Sequence, residues 1–190
     1  MPIAKSTLGE TVHAGVGKSS QEQESGSFGG VFTVTCFDSD GNKKWEDSFH
    51  NLVVNQGLQN LNTEFFKGSG YVAAWYLGLV TGPGSGVTYA AADTLASKAW
   101  TEFTNYVGTR KAVTFGTATT ADPSVISNSA SPSPFAISGA GGTVAGAFLT
   151  TVASGTSGVL FSEGNFTGGD KIVASGDTLN VTYTFNADAV

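Results

Sequence analysis

Hydrophobic positions along this chain recur mostly at every second residue, in short runs. The stretch "DTLNVTYTFNA" (177–187) is the clearest: Leu179, Val181, Tyr183 and Phe185 alternate with Thr178, Asn180, Thr182 and Thr184. Successive side chains of a strand point to opposite faces, so this pattern predicts a strand with one face on a core and one in water. "VFTVTCF" (31–37) alternates in the same way through Phe32, Val34 and Cys36, and "KKWEDSF" (43–49) places Trp45 and Phe49 together. The parity then changes to Leu52 and Val54, which predicts a bulge or bend near His50-Asn51. "YVAAWYLGLV" (71–80) is apolar on both parities, as a strand buried on both faces should be.

Further strand-like runs are "WTEFTNYV" (100–107), "RKAVTFGT" (110–117), "GTVAGAFLTTV" (142–152) and "GVLFSEGNF" (158–166). "ADPSVISNSASPSPFAIS" reads as two short strands broken by Pro, which belongs at sheet edges and turns. Helical spacing is confined to one place. In "NQGLQNLNTEFFKGSG" (55–70), Leu58, Leu61 and Phe65 form a stripe, Asn55 can cap the start and Gly68 the end, giving a short helix over about 56–67. "AADTLASKA" reads as one helical turn capped by Asp93. Residues 1–28 are polar, Gly/Ser-rich and aperiodic, and read as a flexible arm or as one that orders on a neighbouring subunit. The sum is an all-β fold: about eight to ten short strands in a single antiparallel β-sandwich domain over 29–190, with a jelly roll as the expected layout.

Composition agrees and narrows the chemistry. Charged residues are 13% of the chain, Gly numbers 26 of 190 residues and the net charge is −6. Few surface-helix formers and many turn formers favour β structure. An acidic chain whose only adjacent basic pairs are Lys43-Lys44 and Arg110-Lys111 is not built to coat phosphates, so nucleic acid is not an expected partner. A single cysteine gives no internal disulfide framework. No apolar stretch has the length of a membrane span and the N-terminus has no signal-peptide core, so the expectation is a soluble protein made in the cytoplasm, with no membrane partner.

Each motif that could carry chemistry fails on spacing. "DSDGN" (38–42) looks like a calcium loop, but counting from Asp38 puts Lys43 where the loop needs Gly and Phe49 where it needs Glu. It reads instead as a hairpin turn, with Gly41 taking the positive φ. "GVGKSS" (15–20) lacks the first Gly of a phosphate-binding loop, since Val12 stands there. Cys36 has only His13 and His50 as candidate bases and reads as a small core residue; the three cannot make a standard zinc site. Glu46 and Asp47 point to opposite faces of a strand, and Asp93 and Glu102 can meet only through the fold. Trp45, Trp75 and Trp100 read as core residues, the alternative being an exposed line that stacks on sugars. The residues therefore predict no catalytic set, no cofactor and no metal, and point to a binding or structural role rather than an enzyme.

An ordered series of stretches resembles the capsid decoration, or cement, proteins of tailed bacteriophages. The series is "FTVTCFDSDGNKKWE", "NLVVNQGLQNLN", "WYLGL", Asp93 ahead of "WTEFTNY" and Arg110, then "VISNSASP", "GAFLT" and "SGDTLNVTYT". It covers 31 to about 186, and similar chains also include tail proteins. The resemblance implies a jelly-roll-like fold on the outer capsid surface, bridging capsomers. The implied partners are the major capsid protein and other copies of this chain, as a dimer or trimer. The alternative reading is a tail or fibre component, or a glycan-binding surface module. The long arm before Phe32 departs from the family pattern.

Overall fold

A computed structural model describes residues 27–67, 74–83 and 87–188. Most of the expected arm, including His13 and "GVGKSS", lies outside these residues, as does Gly68. Ser27 and Phe28 do not belong to an arm: they open the first strand.

The described chain is two antiparallel sheets and one helix. The first sheet comprises β1 (Ser27–Phe37), β2 (Lys43–His50), β7 (Ser124–Ser127), β8 (Ser133–Ala136) and β12 (Thr178–Asp188). Its order is β2-β1-β12-β7, with β8 also on β12. The second comprises β3 (Leu52–Val53), β4 (Tyr76–Thr81), β5 (Glu102–Phe103), β6 (Lys111–Ala112), β9 (Gly142–Thr150), β10 (Leu160–Asn165) and β11 (Lys171–Val173). Its order is β3-β10-β9-β4-β5, with β11 on β9 and β6 on β4. The antiparallel sandwich expected from the alternation is present. The order leaves a jelly roll unconfirmed, because β1–β2 and β9–β10 are hairpins within one sheet. The two Pro-broken strands, β7 and β8, do lie at an edge, paired among the described residues with β12 alone.

The sheets meet through their inner faces. Phe32, Val34, Phe49, Leu179 and Val181 of the first sheet pack against Leu77, Leu79, Ala147, Leu149 and Phe161 of the second. Fully burying such side chains contributes roughly 1.5–3 kcal/mol each, which makes this cluster the main source of stability. The second sheet is also covered outside. Val80, Ala145, Phe148 and Leu160 form another buried cluster beneath Leu95 and Trp100 of the long β4–β5 connection. This double burial is why β4 is apolar on both parities.

Two local expectations are corrected and one is resolved. The parity change near His50 is a bend, not a bulge within one strand. The chain leaves the first sheet at His50 and enters the second at Leu52, and Asn51 pins the corner: its Oδ1 accepts from Gly30 N (2.6 Å) and its Nδ2 donates to the Tyr183 hydroxyl (2.8 Å). The helix, α1 (Asn55–Lys67), forms as predicted, but its stripe does not face the core. Leu61 packs inward, whereas Phe65 is 79% exposed and Leu58 is exposed too. The contact that seats the helix is Gly57, whose missing side chain lets the helix backbone rest on the Phe161 carbonyl of β10. Finally, "AADTLASKA" forms turns and bends rather than a helical turn. Asp93 accepts from Ala90 N (3.1 Å) behind it, closing a turn, and the anchors Leu95 and Trp100 hold the segment down.

Candidate functional site

At the end of the sandwich where β1 begins and β12 finishes, the inner faces are not closed over. A cleft of about 700 Å³ opens there. Its floor is Leu149, Phe161 and Tyr183, and one wall is Phe185 and Ile126. The opposite rim comes from α1, through Asn60, Leu61, Glu64 and Phe65, and the remaining side from Trp75 and residues 113–116. The aromatic lining is mutually braced. Trp75 and Phe185 both stand edge-on to Phe161, at 5.2 and 5.6 Å between ring centres, and Phe115 stands edge-on to Tyr183. Outside the mouth, Phe28 lies parallel to Phe185 and is half exposed. Phe65 and Phe66 pack on each other on α1, 79% and 78% exposed. Single exposed apolar residues are ordinary, but this many aromatics around one opening mark a contact surface.

The cleft holds little polar chemistry. The Tyr183 hydroxyl is already engaged by Asn51 Nδ2 and Ser162 Oγ, and burial holds its pKa well above the ordinary value. Glu64 Oε2 is the exception, a buried carboxylate oxygen with no hydrogen-bond partner among the described residues. An apolar lining with one unsatisfied acceptor suits an apolar guest that brings a donor.

The residues weighed in the sequence are placed elsewhere, in structural work. Asp38 forms the β1–β2 turn: its Oδ1 accepts from Asp40 N (3.0 Å) and Asn42 N (2.8 Å), while Asn42 Nδ2 donates to Oδ2 (3.2 Å). These bonds, led by the Asn42 backbone, hold its pKa below the usual range. Gly41 takes φ +84°, where L side chains rarely sit. Cys36 is buried in the main core. Burial, with Asp177 nearby, pushes its thiol up to about 11, so it is a poor nucleophile at neutral pH. His50 ends β2 as an exposed residue.

The carboxylates also separate. Glu46 accepts from Thr35 Oγ1 and pairs with Lys43 on the outer face. Asp47, on the inner side, accepts from Thr167 N and Gly168 N and pairs with Lys171. It thus ties β2 to the β10–β11 turn across the sandwich. Glu102 does not meet Asp93; it takes both Arg110 Nε (2.9 Å) and Nη2 (2.7 Å). Trp100 is buried, and Trp45 and Trp75 are half-buried against the core, Trp45 edge-on to Phe166. They form no exposed line.

The group that sequence reasoning missed is Glu163 of β10. It is wholly buried under the β4–β5 connection, with Oε2 accepting from Trp100 Nε1 (2.6 Å). Burial, opposed by that hydrogen bond and reinforced by neighbouring Asp93, pushes its carboxyl up to about 8. At neutral pH it is therefore mostly protonated. A lone Glu in the apolar run "GVLFSEGNF" was the available signal, but its partners lie 63 and 70 residues away in the chain. Sealed from solvent, it has no access to a substrate.

Among the described residues no helix is long and apolar enough to cross a membrane. No family model matches the sequence, no curated protein matches it, and no solved structure matches it.

Proposed function

We propose that this protein is a structural virion component that binds the outer surface of a bacteriophage capsid and cements neighbouring capsomers. The observation that carries the reading is the pair Phe65 and Phe66, displayed on α1 at the rim of an aromatic cleft. Holding two Phe rings in water costs about 1.5–3 kcal/mol each relative to burying them, which a protein partner recovers on binding. Glu64 apart, the acidic and thiol groups traced above support the same reading, because they are spent on turns, ion pairs, a cross-sheet tie or the core. The ordered resemblance to phage decoration proteins supplies the particular partner. A cement protein works by linkage: every contact made only in the assembled shell stabilises that shell. A sandwich braced between its sheets by Asp47 and Asn51 presents such contacts with little internal give.

The test is the position and copy number of the protein in imaged virions. The expected result is density spread over the shell, in fixed ratio to the major capsid protein. Its absence from the shell, or confinement to the tail, overturns the proposal.

A further inference from the structure

The cleft is apolar, open and anchored to a known point of the chain. β1 begins at Ser27, and the next residue, Phe28, lies on the cleft-wall residue Phe185 with 6.2 Å between ring centres. The first described residues of the chain therefore lie at the mouth of the cleft. The sequence ahead of them divides into two parts. Residues 17–26, "GKSSQEQESG", have no large apolar side chain, whereas Ile3, Leu8, Val12 and Val16 punctuate the first sixteen. Ten polar residues span about 18 Å on average as a free linker, enough to turn the preceding segment back on the opening.

The segment also carries one cationic donor, Lys5, which with Glu10 leaves residues 3–16 a side-chain balance of 1 − 1 = 0. The cleft presents the unpartnered Glu64 Oε2 as acceptor. Tethering a short segment at the site it can fill gives it an effective concentration on the order of millimolar, which outweighs a free ligand of similar affinity.

We propose that the cleft is the docking site of the chain's own N-terminal segment, residues 3–16, folding back within the same molecule. Its apolar side chains lie on Phe161, Phe185 and Phe115, and Lys5 satisfies Glu64. This goes beyond the capsid reading and does not depend on it, since it concerns the free protein.

The experiment uses the full chain without virions. A benzophenone amino acid replaces Val12, and equal amounts of ¹⁵N-labelled and unlabelled chains are mixed, irradiated and mapped by mass spectrometry. Crosslinks from position 12 to the 60–65 or 113–116 stretches are expected within chains of one isotope. In parallel, the full-length triple variant Leu8→Ser/Val12→Ser/Val16→Ser is titrated with 1-anilinonaphthalene-8-sulfonate, circular dichroism confirming the fold. It should bind the dye at least tenfold more tightly than the parent. Crosslinks that miss the cleft, crosslinks of which about half join unlike chains, as random pairing between copies gives (a second copy as occupant), or unchanged dye affinity would each overturn the proposal.

Discussion

Two residues show how much single positions decide here. Asp38 spends its carboxylate on the turn between β1 and β2, accepting from two backbone amides and the Asn42 side chain. Asp38→Ala should lower the urea midpoint, because it removes those bonds. The melting temperature of the parent should not respond to calcium. A calcium-dependent rise that Asp38→Ala abolishes would restore the loop as a metal site. Gly78 is the second case. It sits opposite Phe148 in the β4–β9 pairing, and a Cβ there would drive into the Phe148 ring. That ring cannot retreat, because it is fully buried with Trp100 tilted over it at 4.7 Å. Gly78→Ala should therefore destabilise by about 2–3 kcal/mol, as overpacking does. Adding Phe148→Leu should recover part of the loss, and a double variant no better than the single one would refute the steric account.

At the scale of elements, legibility followed burial geometry. β12 was legible because one face meets the core and one meets water, so period two survives in its sequence. β4 was legible for the opposite reason, its two-sided apolar run reporting the second cluster outside the sheet. The short β5 and β6 were overpredicted in length, since strand-like composition around Trp100 and Arg110 serves side-chain anchoring rather than ladder pairing. The stripe on α1 misled because it was read as a core face. Only Leu61 is used that way, and Phe65 with Phe66 stands outward. Adjacent residues on a helix point about 100° apart, so Phe66 falls roughly 100° away from a stripe of Leu58, Leu61 and Phe65, and this second apolar direction was the available signal. The cleft and the Glu163 pocket were not legible, as each is built from segments tens of residues apart. The exposed pair leads to a prediction for the element. Phe66→Ser should leave stability within about 0.5 kcal/mol, as surface substitutions do. It should weaken binding to purified capsid shells at least tenfold, about 1.4 kcal/mol. Unchanged shell binding in a sedimentation assay would remove α1 from the contact surface.

For the molecule as a whole, the buried Glu163 sets the pH at which the fold is most secure. Its folded pKa is raised, from 4.5 to about 8, so the folded state keeps a proton that the unfolded chain gives up. Below pH 4.5 both states are protonated and the group costs nothing. As pH climbs from 4.5 to 8 stability falls, by up to about 1.4 kcal/mol per pH unit, and above 8 the loss is complete. The lowered carboxylates act in reverse. Asp38, held by the turn amides, and Glu46, held by Thr35 and Lys43, add stability above their unfolded pKa values that is lost as pH falls through the folded ones. The two trends cross on the acidic side of neutrality, so thermal stability should peak near pH 5. Glu163→Gln separates the terms. The amide oxygen can still accept from Trp100 Nε1, and the amide nitrogen can donate to Asp93 in place of the acid proton. The variant should match the parent at pH 5 and exceed it by several degrees at pH 8, moving the optimum toward neutrality. Melting curves of parent and variant that stay parallel from pH 5 to 8 would show that Glu163 is already ionised under the β4–β5 connection, and that Trp100 and the turn at Asp93 carry a buried charge.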